Sequence, residues 1–278
     1  IAAAAMSGVA SAAELRIASS SALNYELYNP VYTTFMEELP RLTNGELTAT
    51  HFGLEIVNLR NAVSSLESGL IDVANFLPSM VAADFPNATL LAELAPIGRV
   101  GSAMSAAVME YLVTCDDCQA EFAKKGFVYT ASVSTPSYEL LMAKRAVTKP
   151  EDLAGLRVRS PGTSYSLWIN AMGAIPTEVT ITEEYEALQG GLIDGTVAPL
   201  ANLVGSRLLE VTKYYTALPL GTYHATSSFT VRKASWDALS PEHKRALVDA
   251  AVTAVAKNEP AMRATGLRAL EEFKAAGG

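Results

Sequence analysis

The N-terminal part of the chain alternates short apolar runs with stretches of helical spacing. Residues 15–18 and 46–52 alternate apolar and polar side chains, which is typical of half-buried strands. Residues 24–42 and 58–68 carry apolar side chains at the spacing of amphipathic helices, and residues 71–76 form a further apolar strand. This β-α-β-α-β order predicts a mainly parallel sheet with helices on both faces.

The same alternation returns later in the chain. The further strands are predicted at residues 126–131, 138–143, 156–159, 175–179, 193–197, 214–218 and 226–231, and the further helices at 102–125, 166–172, 183–190 and 241–273. The last strand is expected to return to the first sheet. The pattern therefore predicts an α/β protein of two domains, joined by several crossings of the chain, with a cleft between them.

The predicted elements divide the chain into two domains and a C-terminal segment. We expect residues 14–137, together with about 227–250, to form domain I, and residues 138–226 to form domain II. Residues 251–278 are expected to be a C-terminal helical segment that packs across both domains.

Composition supports a globular, exported protein. The chain has 278 residues, of which 50% are hydrophobic and 18% charged, with a formal net charge of −8 that makes nucleic acid an improbable partner. Residues 1–13 are rich in alanine and end in small residues before Glu14, as the tail of a cleaved signal peptide does; a short core helix or a cloning remnant is the alternative. No later apolar run is long enough to span a membrane, so we expect a periplasmic protein.

Cys115 and Cys118 are the two cysteines of the chain. An oxidising compartment favours a local disulfide between them, which we expect to be structural. A thiol-disulfide redox motif is the alternative, but such motifs open the helix after a first strand, whereas an apolar helical run over residues 103–113 precedes this pair.

Motifs of catalysis are missing from the sequence. It contains no nucleophile elbow, zinc-protease motif, P-loop or dinucleotide-binding glycine pattern. His51, His224 and His243 are isolated, so we interpret each as a surface or packing residue rather than a base or a metal ligand. We expect no cofactor, no metal site and no enzymatic activity.

Residues 149–162 combine a predicted strand with a candidate anion-binding side chain. Asp152 can cap a short helical turn, Gly155 can end it, and residues 156–159 then alternate apolar and basic side chains. Arg159 would stand at the carboxyl end of that strand, where ligands bind in open α/β sheets, and its planar guanidinium matches a carboxylate. An exposed strand-end arginine is the alternative interpretation.

Several motifs in the same order resemble the substrate-binding proteins of TRAP transporters, the DctP-type family. They lie at residues 42–47, 66–74, 150–159, 172–176 and 183–195. The resemblance implies a clamshell fold like that of periplasmic binding proteins, and it implies that Arg159 binds the carboxylate of a ligand. Loops that follow predicted strands supply further candidate ligand-binding residues, namely Asn24, Tyr25, Glu55, Asn58 and Phe76. Tyr138 lies near the crossing between the domains, and Tyr223 and His224 lie in the last loop before the chain returns. Plain packing or surface exposure is the alternative for each.

The chain also departs from the family pattern. Ala198 stands where many members have asparagine, and Ile181 stands where many have an aromatic residue. The second arginine of sialic-acid-binding members has no counterpart in residues 132–141. These differences favour a less polar monocarboxylate over a sialic acid or a dicarboxylate.

The resemblance implies an exported, non-enzymatic receptor that captures a small carboxylate and delivers it to TRAP membrane permease subunits. A binding protein for an ABC transporter or a sensor kinase is the nearest alternative. A periplasmic enzyme on the same clamshell is a further one.

Overall fold

Two five-stranded sheets organise the computed structural model, which describes residues 13–19, 30–224 and 227–278. Asn24, Tyr25 and the predicted leader up to residue 12 lie outside the described residues. The strands are β1 (Ala13–Ala18), β2 (Leu47–Phe52), β3 (Val73–Phe76), β4 (Phe127–Ala131), β5 (Tyr138–Met142), β6 (Arg157–Ser160), β7 (Ile175–Glu178), β8 (Gly195–Pro199), β9 (Tyr214–Thr216) and β10 (Ser227–Arg232).

Helices connect these strands and cover the sheets. They are α1 (Val31–Leu42), α2 (Ala62–Ser68), α3 (Pro86–Thr89), α4 (Gly101–Thr114), α5 (Asp116–Lys124), α6 (Thr163–Ala171), α7 (Glu184–Gln189), α8 (Asn202–Gly205), α9 (Lys233–Asp237) and α10 (Pro241–Ala275). The helix predicted from residue 58 begins later because the side chain of Asn61 accepts a hydrogen bond from the Asn58 amide at 2.7 Å. Such local side-chain bonds favour a turn over a helix.

The two sheets share one topology. Their strand orders are β2-β1-β3-β10-β4 and β7-β6-β8-β5-β9. In each sheet the fourth strand in spatial order, β10 or β5, runs antiparallel to both neighbours, and the other pairs are parallel. Strand β5 thus carries the chain into the second sheet and β10 returns it to the first.

One local motif occurs in both domains. The sequence Gly-Leu-Ile-Asp ends at Asp72 before β3 and again at Asp194 before β8. Asp72 accepts hydrogen bonds from the backbone N–H of Arg16 at 2.9 Å and from its guanidinium at 2.9 and 3.0 Å. Asp194 binds Arg157 in the same way, at 2.9, 3.2 and 3.1 Å. The repeat makes β1 equivalent to β6 and β3 equivalent to β8.

Apolar side chains pack on both faces of each sheet, as the alternation of side chains along a strand requires. In β3, for example, Val73 packs against the cluster that includes Phe35, whereas Ala74 and Phe76 pack against the cluster that includes Phe122. Residue parity along each strand therefore decides which cluster a side chain joins.

Helix α10 packs against both domains. Ser240 caps it by accepting a hydrogen bond from the backbone N–H of His243 at 3.1 Å. Ala250 lies in a core cluster of the first sheet and Phe273 in one of the second. The helix is continuous through residue 250, where the sequence analysis divided domain I from the C-terminal segment. Within the described residues no helix is both long and apolar enough to cross a membrane.

Candidate ligand-binding site

A cavity of about 710 Å³ lies between the two sheets. Its walls come from both domains and include segments that directly follow β3, β6 and β7, as expected for the carboxyl ends of strands in α/β proteins. Its lining includes Arg60, Asn75, Ser79, Glu93, Thr135, Tyr138, Arg159, Glu178, Ile181, Glu183, Glu186, Pro199, Arg207, Tyr223, Ser228 and Met262.

Arg159 is a buried cation of this cavity, with 6% of its surface exposed. It lies on β6 next to Val158, whose side chain is fully buried in the core. Its Nε donates to the carbonyl of Val179 at 2.9 Å and its Nη1 donates to the carbonyl of Val197 at 3.2 Å. These two bonds to β8 and to the segment after β7 hold the guanidinium in a fixed orientation.

Glu184 forms a buried ion pair with Arg159. Its carboxylate is fully buried, and its Oε1 lies 3.7 Å from Arg159 Nη1. The Glu184 carboxylate also accepts hydrogen bonds from the hydroxyl of Thr196 and, at 3.1 Å, from Asn202 Nδ2. A guanidinium has five N–H donors, and two of those of Arg159 bind backbone carbonyls. None of the other three N–H groups donates a hydrogen bond to another described residue, so they leave one edge of the guanidinium available to a ligand.

Three tyrosines form an aromatic stack beside Arg159. The ring of Tyr138 stacks on that of Tyr165 with centroids 5.5 Å apart and on that of Tyr223 at 6.2 Å. Burial raises the pKa of Tyr138 far above its ordinary value, although the positive charge of Arg159 opposes that shift. The phenol is therefore neutral at physiological pH.

The family model for DctP, described as bacterial extracellular solute-binding protein, family 7, matches residues 22–278. The chain belongs to the DctP family. This confirms the resemblance recognised from the motifs. The family is one of solute-binding proteins.

Similar proteins match this chain over part of their length. A solute-binding protein of Roseobacter denitrificans is 34% identical over 118 residues, which are 41% of this chain and 35% of the relative. The C4-dicarboxylate-binding periplasmic protein DctP of Rhodobacter capsulatus is 28% identical over 141 residues, 50% of this chain and 42% of that protein. The matched region thus spans less than half the length of these two relatives.

Solved structures of TRAP solute-binding proteins share the fold. A marine metagenome protein specific for aromatic acids, in complex with metahydroxyphenylacetate, has a TM-score of 0.82 at 20% identity, covering 96% of this chain and 84% of that one. A protein from Sulfitobacter with bound β-D-galacturonate has a TM-score of 0.75 at 20% identity, covering 95% and 87%. This likeness confirms the predicted two-domain α/β architecture.

The structure brings four of the sequence-predicted ligand residues of this DctP protein to the cavity: Arg159, Tyr138, Ile181 and Tyr223. It places five others outside the cavity lining: Glu55, Asn58, Phe76, Ala198 and His224. The remaining two, Asn24 and Tyr25, lie outside the described residues.

Packing explains where the two apolar residues of that group lie. Phe76 belongs to the core of domain I, with its ring 5.0 Å from that of Phe85 and 6.1 Å from that of Phe122. Ala198 is fully buried in a cluster with Leu141 on the second sheet. Both side chains point away from the cavity because a neighbouring residue of the strand takes the opposite face.

Local hydrogen bonds and exposure account for the polar residues of the group. His224 is 1% exposed and its Nδ1 lies 3.0 Å from the carbonyl of Thr222. Burial lowers the pKa of His224, which keeps the ring neutral. Asn58 Oδ1 accepts a hydrogen bond from the backbone of Arg60 at 2.9 Å, and Glu55 is exposed.

The structure adds polar residues that the sequence analysis did not select. Asn75, Ser79 and Thr135 line the cavity beside the aromatic stack. Arg60 of domain I and Glu183 of domain II also line it, with Arg60 Nη2 3.9 Å from Glu183 Oε1. The sequence does indicate that Asn75 is unusual, because asparagine is depleted in strands and here interrupts an apolar run.

The structure joins Cys115 and Cys118 in a disulfide at the turn between α4 and α5. Neither cysteine lines the cavity. Among the described residues, no group of three or more histidine, cysteine, aspartate or glutamate side chains is arranged to hold a metal ion.

Proposed function

We propose that this protein captures a small organic monocarboxylate between its two domains, in the periplasm, and delivers it to the membrane permease subunits of a TRAP transporter. Export through a cleaved signal peptide is part of the same proposal. The observation that carries it is the Arg159 guanidinium, which is buried, oriented by two backbone carbonyls and open to the cavity along one edge.

A carboxylate is the ligand group that fits this edge. Its two oxygens can accept parallel N–H bonds from a guanidinium, and charge-assisted bonds of this kind are about twice as strong as neutral ones. Glu184 does not compete for the same donors, because its carboxylate lies 3.7 Å from Nη1 and is bonded to Thr196 and Asn202. The ligand carboxylate would accept hydrogen bonds from the remaining N–H groups of the Arg159 guanidinium.

The other cations of the cavity favour a single carboxylate. Among the described lining residues the cations are Arg60, Arg159 and Arg207. Arg207 donates to Glu210 at 2.9 and 2.8 Å, and Arg60 is paired with Glu183. The cavity lining also includes four carboxylates, those of Glu93, Glu178, Glu183 and Glu186. A second ligand carboxylate would therefore face negative charge without an unpaired cation.

The chemistry of the walls favours an apolar or aromatic body on the ligand. The rings of Tyr138 and Tyr223 line the cavity next to Arg159, and Ile181, Pro199 and Met262 add apolar surface. The solved relative specific for aromatic acids and the one with bound galacturonate both hold organic acids. They support the class of ligand, and the aromatic stack favours the less polar of the two.

Delivery to a permease rests on family membership and on the two-domain architecture. Closure of the domains on a ligand would change the surface that spans both of them, which a membrane partner can recognise. Uptake of the bound acid by vesicles that contain the cognate permease subunits, with and without this protein, tests this step. Uptake that does not depend on the protein would contradict it.

A binding panel tests the ligand class. We expect isothermal titration calorimetry to show saturable binding of small monocarboxylates such as benzoate and phenylacetate, with weaker binding of succinate and no binding of the matching uncharged amides. Tight binding of dicarboxylates alone would refute the monocarboxylate proposal. Equal binding of acids and their amides would refute recognition through Arg159.

A further inference from the structure

Asn75 carries a buried side-chain amide that faces the cavity. Its residue surface is 4% exposed, and it lines the cavity from β3 of domain I. Its Oδ1 is buried and has no hydrogen-bond partner among the described residues. Burying an amide oxygen without a donor costs free energy, so such a group calls for an explanation.

The fold itself does not require asparagine at this position. Ile17 pairs with Val73 in the first sheet as Val158 pairs with Gly195 in the second, so the repeated motif makes Asn75 equivalent to Val197. Val197 is a fully buried core residue on β8. Valine suits a strand better than asparagine does, so strand stability does not explain the asparagine at residue 75.

The neighbouring strand is irregular opposite Asn75. The β3–β10 pairing joins Phe76 to Ser227 and Ala74 to Thr230, so two residues of β10 face one residue of β3. Bulges of this kind change the direction of side chains and occur often beside binding sites. The irregularity lies where Asn75 and Ser228 both line the cavity.

A second buried asparagine shows that position matters. Asn258 of α10 is fully buried and its Oδ1 is also without a partner among the described residues. It does not line the cavity, and its Nδ2 contacts Met262 Sδ at 3.6 Å. Of these two amides, only Asn75 can be reached by a ligand.

We infer that Asn75 is a specificity-determining residue and that the ligand carries a hydroxyl group at the end remote from its carboxylate. This inference rests on the proposed function, in which Arg159 binds the carboxylate. A hydroxyl donates to the Asn75 Oδ1 and also accepts from its Nδ2, whereas a hydrogen or methyl at that point leaves the amide unpaired. Because Arg159 belongs to β6 and Asn75 to β3, a hydroxy acid contacts both domains and favours their closure.

Matched pairs of acids test the inference. The probes are phenylacetate and benzoate with their meta- and para-hydroxy derivatives, titrated by calorimetry into the wild-type protein, Asn75→Val and the control Asn258→Val. We expect the wild type and the control to bind the best hydroxy isomer at least about tenfold more tightly than the parent acid. In Asn75→Val that ratio should fall to about one, with the affinity for the parent acid kept within about threefold.

The outcomes separate this inference from the proposed function. Equal binding of hydroxy and parent acids by the wild type, or a ratio unchanged in Asn75→Val, overturns the role of Asn75 and leaves carboxylate binding intact. If the wild type binds none of the acids, both the inference and the proposed function are overturned. Thermal unfolding checks that each variant is folded, and Asn75→Leu, which keeps the branched shape of the side chain, replaces Asn75→Val if the latter is not.

Discussion

Substitutions of Arg159 and Glu184 can separate ligand binding from fold stability. Arg159→Lys keeps a positive charge beside Glu184 but loses the planar fork, which costs about 1.5–3 kcal/mol of binding for a lost charge-assisted bond, or roughly 10- to 150-fold in Kd. Arg159→Met also leaves Glu184 buried without a cation. Removing one partner of a buried ion pair lowers the free energy of unfolding by about 3–5 kcal/mol, a large share of the typical total.

The double variant Arg159→Met with Glu184→Gln removes both charges. We expect it to recover much of the stability lost in Arg159→Met, because no buried charge is left alone. Its binding of a monocarboxylate should still weaken by about 2–5 kcal/mol, or roughly 30- to 4,000-fold in Kd, since the ligand carboxylate has lost its partner. Calorimetric Kd values and urea unfolding measure the two effects independently.

Arg157→Lys is the matched control. Arg157 lies two residues earlier on β6, binds Asp194 and does not line the cavity. This variant should lose some stability and keep its affinity for the ligand. Wild-type affinity in Arg159→Lys and in the double variant would refute the reasoning, because it would mean that the carboxylate binds elsewhere.

Three further predictions concern the scaffold. Phe76→Ala should lower the free energy of unfolding by about 3–5 kcal/mol in urea unfolding and leave the Kd within about twofold, because the ring packs in the core of domain I; a selective loss of affinity would contradict this placement. Changing Cys115 and Cys118 to serine should cost about 2 kcal/mol of stability with unchanged ligand binding, since the disulfide closes a short loop outside the cavity; loss of binding would argue against a purely structural pair. Burial raises the pKa of Asp194, but hydrogen bonds from Arg157 and Lys144 outweigh it and hold the pKa well below its ordinary value. The ionised Asp194 therefore stabilises the fold above about pH 4, and this contribution is lost as the pH falls toward the folded-state pKa. In Asp194→Asn the free energy of unfolding, measured in urea between about pH 3 and 7, should fall less steeply at low pH than in the wild type. The same decrease at low pH in both proteins would contradict this prediction.

Much of the fold could be read from local patterns. Strand alternation, helical spacing and turn glycines depend on neighbours in the chain, and they located most elements within a few residues. The same local logic placed Arg159 near the carboxyl end of β6, because residue order alone decides which side chains stand at the end of a strand. The motifs that carry the family resemblance are local too.

The lining of the cavity depended on contacts between distant parts of the chain. The sequence pattern predicts Phe76 and not the adjacent Asn75 as a ligand residue, because only the placement of the sheet shows which face of β3 meets the cavity. The ion pair between Arg159 and Glu184 likewise forms only on folding, because it joins β6 to α7. By itself the sequence determined the order of the elements, the family and the principal cation. The tertiary structure decided which of two alternating side chains faces the cavity, because that choice depends on packing between segments far apart in the chain.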